Sequence, residues 1–99
     1  MVTILFIYSE NCEHCQKALT TIESAIIKCK EIPCKIIKLL YHTKEAISVA
    51  INNDIDDLPG FVIGKAKFVK DNYTEEKVIN AIKEADINDG KNNQRSKRS

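Results

Sequence analysis

The first apolar run, Val2 to Tyr8, reads VTILFIY and is interrupted only by Thr3. Most of its positions are β-branched or aromatic. Such a run predicts a strand covered on both faces of a sheet. Ser9 to Asn11 are polar and turn-prone. From Cys12 the period changes. Cys15, Ala18, Leu19, Ile22, Ala25, Ile26 and Cys29 recur at steps of three and four, the stripe of an amphipathic helix. Proline restricts the residue ahead of it, so this helix is expected to end before Pro33. Cys34 to Tyr41, CKIIKLLY, reads as a second strand. Thr43 suits the cap of a second helix, with an apolar face of Ala46, Ile47, Ala50 and Ile51. Asn52-Asn53-Asp54 closes it, and Ile55 to Gly60 is a loop. Phe61–Ile63 and Ala66–Val69 are two short strands joined around Gly64-Lys65. After a turn at Asp71-Asn72, Thr74 caps a last helix. Glu75 and Glu76 sit favourably in its first turn, and Val78, Ile79, Ala81, Ile82 and Ala85 form its buried face.

The predicted order is β-α-β-α-β-β-α, an α/β fold. Strands joined through a helix are expected to run parallel with a right-handed crossover. Strands joined by a tight turn are expected to be antiparallel. Together these give a four-stranded mixed sheet with helices on both faces.

At 99 residues, 43% apolar and 29% charged, the chain has the usage of one ordinary globular domain. The formal net charge of +1 implies no general affinity for nucleic acid or membrane. The charge is uneven. Four of the 15 basic residues and none of the 14 acidic ones lie in KNNQRSKRS, residues 91–99. A domain over residues 1–88 followed by a loose basic tail over 89–99 is therefore expected. Met1 leads straight into VTILFIY with no basic residue before it, and the run is too short to span a bilayer. A cytoplasmic location is expected, where thiols stay reduced and cysteines more often serve chemistry than structural bridging.

That bears on SENCEHC, residues 9–15, which places Cys12 and Cys15 at the junction of a buried strand and a helix. In this context a CxxC pair reads as a redox motif. The unpaired N–H groups at a helix N-terminus favour thiolate over thiol on Cys12. Cys15, one turn further and on the buried stripe, is expected to hold its proton longer. Zinc needs two more ligands; His42, Cys29 and Cys34 are the candidates, but Cys29 is expected at the far end of the helix, and His14 to point away from a site the pair shares. Cys29 and Cys34 read as small core residues, with a regulatory bridge between them as the minority alternative.

FIYSENCEHC at the end of the first strand, with DDLPGFVIG ahead of the third, resembles the thioredoxin–glutaredoxin family over Val2 to about Ala85. The resemblance implies a thioredoxin-like fold and a dithiol mechanism. Cys12 attacks a disulfide of a protein substrate, and Cys15 resolves the mixed disulfide. Pro59 falls where the family places a cis-proline facing the cysteines, so Leu58 and Pro59 are expected to position substrate, with Tyr8 beside them. His14 resembles the histidine before the second cysteine in disulfide isomerases and periplasmic disulfide oxidants, which implies a tuning role. Thioredoxins usually carry Trp before the first cysteine, Gly-Pro between the pair and an acid beneath it. Here Asn11, Glu13-His14 and Phe6 hold those places. Glutaredoxins share the Tyr-Ser run but usually carry a Gly-Gly pair after the fourth strand, absent from Phe68-Val69-Lys70-Asp71. No bound cofactor is expected; the external reductant is glutathione or a thioredoxin-reductase-type donor. A monomer is expected. The second reading is a binding module or subunit of the same fold, with incidental cysteines and the basic tail as its contact.

Overall fold

The computed structural model describes residues 1–70 and 72–98, the side chains beyond residue 88 excepted. Asp71, Ser99 and the side chains over 89–98, where a loose basic tail is expected, lie outside the described residues. The elements are β1 (Val2–Tyr8), α1 (Glu13–Lys28), β2 (Cys34–Leu40), α2 (Lys44–Asn52), β3 (Gly60–Ile63), β4 (Ala66–Val69) and α3 (Glu75–Arg98). The order is the one the hydrophobic pattern predicts.

The sheet runs β2-β1-β3-β4. β1 pairs in parallel with β2 from Val2↔Cys34 to Tyr8↔Leu40, and antiparallel with β3 from Ile4↔Ile63 to Ile7↔Gly60. β3 and β4 form an antiparallel hairpin. Gly64 turns it with φ +60°, and an added Cβ there would lie 2.9 Å from Ala85 Cβ. Glycine is thus required twice over, by conformation and by space.

Side chains alternate across a strand, so the interior strand β1 feeds two cores. Val2, Ile4 and Phe6 join Cys15, Ala18, Ile22 and Ala25 of α1, Val78, Ala81 and Ile82 of α3, and Phe61, Ile63 and Phe68 of the hairpin. Phe61 sits at the centre, with ring centroids 4.9 Å from Phe68, 5.5 Å from Tyr73 and 6.3 Å from Phe6. The opposite face buries only Ile7, Val62, Ala46 of α2 and Ile55 of the loop, with Leu5, Leu39, Val49, Ala50 and Val69 partly covered around them. The helix caps follow the sequence. Thr43 Oγ1 accepts from Ala46 N at 3.2 Å, and Thr74 Oγ1 from Lys77 N at 3.1 Å. Lys28 Nζ pairs with Glu75, joining α1 to α3 and holding the Glu75 carboxyl below its ordinary value, with the Ser24 hydroxyl helping. Among the described residues no helix is long and apolar enough to cross a membrane.

Candidate dithiol site

β1 ends at Tyr8, and the chain must reverse to lay α1 back across the sheet. Asn11 makes the reversal at φ 58°, a left-handed conformation that asparagine tolerates better than most residues. Cys12 then caps α1 with an extended backbone, φ −106° and ψ 108°. Its sulfur takes the place a serine or aspartate oxygen usually fills: Cys15 N donates to Cys12 Sγ at 3.2 Å. The backbone ladder begins in the same turn, with Gln16 N donating to Cys12 O at 3.2 Å.

The two sulfurs occupy unlike surroundings. Cys12 is half-buried at the mouth of a cavity of about 290 Å³. Cys15 lies behind it at 3% exposure, within the core. Burial pushes the Cys15 thiol up to about 11 from an ordinary 9.0, and its hydrogen bond to the Cys12 sulfur pushes the same way. All four cysteines are free thiols here. Cys29 is buried and Cys34 half-buried; burial first, then the neighbouring Cys29, raises the Cys34 thiol. Among the described residues no group of three or more His, Cys, Asp or Glu side chains is arranged to hold a metal.

Of the residues singled out in the sequence, Tyr8 lines the cavity with Cys12 and Cys15, its ring stacked on Phe6 at 6.1 Å. Leu58 is half-buried and packs into the same cluster as Cys12 and Tyr8. The Leu58–Pro59 peptide bond is cis and Pro59 is fully buried. Pro59 O accepts from Lys70 N at 2.7 Å. The Leu58 N–H donates to Asp57 Oδ1 at 2.9 Å. His14 is exposed in the first turn of α1 and does not line the cavity.

Lys38 is the residue the sequence analysis missed. It lines the cavity from β2, where its Cα partner is Phe6 of β1. The signal is strand alternation: Cys34 and Ile36 pack on the α1/α3 side, and Lys38 continues that side toward the cysteines.

No family model matches the chain, and no curated protein does. Solved structures do match. A thioredoxin-like protein from Clostridium perfringens superposes with a TM-score of 0.67 at 11% identity, covering 86% of this chain and 71% of that one. Thioredoxin-2 of the malaria parasite, described as a component of its protein secretion machinery, gives 0.57 at 18% identity over 85% and 82%. A structure titled only as a malarial protein gives 0.60 at 16% identity over 86% and 97%. The chain therefore has a thioredoxin-like fold. At these identities the likeness speaks for the fold alone, and the chemistry has to be argued from this chain's own residues.

Proposed function

We propose that the chain is a thiol–disulfide oxidoreductase that reduces protein disulfides through Cys12 and Cys15. The observation that carries this is the asymmetry of the pair. One sulfur is accessible and accepts a backbone N–H at the start of a helix. The other is buried behind it and holds its proton. A nucleophile needs access and donors that favour its anion. A resolving thiol needs proximity, and it competes less for external disulfides while it stays protonated.

Cys12 thiolate attacks one sulfur of the client disulfide. A mixed disulfide forms and the client's other sulfur leaves as thiolate. Cys15 then loses its proton and attacks Cys12 Sγ. The second client sulfur departs, and a Cys12–Cys15 disulfide remains. Two electrons and two protons from an external thiol donor, glutathione or a thioredoxin-reductase-type protein, restore the dithiol. The chain itself needs no bound cofactor. Lys38 and Glu10 bring opposite charges to the wall of the cavity that holds the two sulfurs. Leu58 and Pro59 line the approach of the client strand, and His14 adjusts the field at the sulfur from outside. The working place is the cytoplasm, as a monomer.

The test is turnover of insulin disulfides with dithiothreitol as donor. The native chain is expected to accelerate reduction, and Cys12→Ser to fall to the uncatalysed rate. Cys15→Ser is expected to arrest as a mixed disulfide visible by mass. Equal rates for the native chain and Cys12→Ser would overturn the proposal.

A further inference from the structure

The dithiol cavity has a larger neighbour elsewhere on the molecule. A groove of about 730 Å³ lies on the opposite face of the sheet, between α2 and the loop that carries Asp54 to Leu58. Its floor is Ile7 and Ile55, and its open wall is apolar. Ile51 is 70% exposed, Ile47 47% and Tyr41 45%. Ile47 and Ile51 are one helical turn apart, so they present one continuous surface. Exposed apolar surface of this kind marks a place where something docks.

Three carboxylates, Asp54, Asp56 and Asp57, stand along the groove. Asp57 has a loose cation partner, Lys70 at 3.8 Å, with both side chains about half exposed. Lys67 Nζ donates to the backbone carbonyl of Asp54 at 3.3 Å, not to its carboxylate. The Asp54 and Asp56 carboxylates have no cation partner among the described residues. The groove therefore combines apolar walls with two carboxylates, those of Asp54 and Asp56, that no described cation pairs with. Leu58 links the two sides of the sheet: it lines the groove and also packs against the main core, which Cys12 and Tyr8 border as well.

Resting on the dithiol reading above, we infer that this groove docks the segment flanking a client's disulfide, and that it selects segments with apolar side chains next to Lys or Arg. Apolar side chains fill the Ile47–Ile51 wall, and the cations meet Asp54 and Asp56. A segment laid past Leu58 brings its sulfur toward Cys12. Acidic clients are disfavoured, because their carboxylates meet like charge. The chain's own tail, KNNQRSKRS, offers cations but no apolar side chain to fill the wall.

Binding is measured by fluorescence anisotropy on the full chain, with two labelled, cysteine-free peptides. Both carry the same Ile/Leu core, one flanked by lysines and the other by glutamates. The lysine peptide is expected to bind at least about tenfold tighter at low salt, with the preference shrinking as salt screens it. Asp54→Asn/Asp56→Asn is expected to abolish the preference. Ile47→Ser/Ile51→Ser is expected to weaken both peptides by about tenfold. Equal affinities, or binding indifferent to Ile47→Ser/Ile51→Ser, would overturn the inference. So would sedimentation showing this face covered by a second copy. Turnover of a small disulfide is read in parallel. Selectivity without turnover upholds the groove and fails the dithiol reading. Turnover without selectivity fails the groove alone.

Discussion

The two faces of the sheet are built to different standards. Toward α1 and α3, three strands and two helices close over a continuous core centred on Phe6, Phe61 and Phe68. Toward α2, one short helix and a loop close a cluster of four buried residues and leave a groove. The division matches what the proposed function asks of each side. The dithiol requires Cys12 and Cys15 to be held in fixed relation, and α1 is anchored by Ala18, Ile22 and Ala25, all fully buried. A docking face requires apolar surface left open, and Ile47 and Ile51 remain so.

The sharpest challenge to this contrast is Phe61→Ala. It removes the ring shared by Phe6, Phe68 and Tyr73 and is expected to cost about 3–5 kcal/mol in urea unfolding. In a domain whose whole margin is of order 5–15 kcal/mol, that leaves little. Ile55→Ala deletes a comparable branch from the thin side, where the loop can settle inward, and about 2 kcal/mol is expected. Equal costs would erase the distinction between the faces.

A pH series probes the thick face at the site itself. Folding raises the Cys15 thiol from 9.0 to about 11, so the folded chain keeps a proton that the unfolded chain has released. That contribution is complete below about pH 9 and is lost as pH rises through about 11. The reduced native chain is expected to lose stability over that interval more steeply than Cys15→Ala, measured by urea midpoint. Parallel slopes would show that Cys15 does not titrate with unfolding. Ile51→Ser, on exposed surface, is expected to change stability by no more than about 0.5 kcal/mol. A loss of 2 kcal/mol or more, well outside the ~±0.5 kcal/mol usual for a surface change, would mean that the groove wall is structural.

Much of the thick face was legible in the chain. The change of period at Cys12 marks where strand yields to helix, and the three-four stripe from Cys15 to Cys29 names the side of α1 that is buried. Thr43 and Thr74 announce their helices because a hydroxyl can accept the exposed N–H groups of a first turn. The thin face was harder. Ala46, Ile47, Ala50 and Ile51 form one apolar stripe, yet only Ala46 is buried, because burial depends on what lies opposite and not on periodicity. Lys38 escaped for a related reason. Its place beside the cysteines comes from the parallel register of β2 on β1, a pairing between residues far apart in the chain. Asp57 taking the Leu58 N–H is a loop detail with no periodic signature.

Gly60, where β3 begins, carries a further consequence. A Cβ added there would run into Ile55 Cγ2, so the bare backbone is what allows the isoleucine to fold down over it. Ile55 is both floor of the groove and anchor of the loop that leads to Leu58. One missing methyl group therefore sets how closely the loop ahead of Leu58 lies on the start of β3. Gly60→Ala would act like a shim, lifting Ile55 and the loop it anchors off the strand.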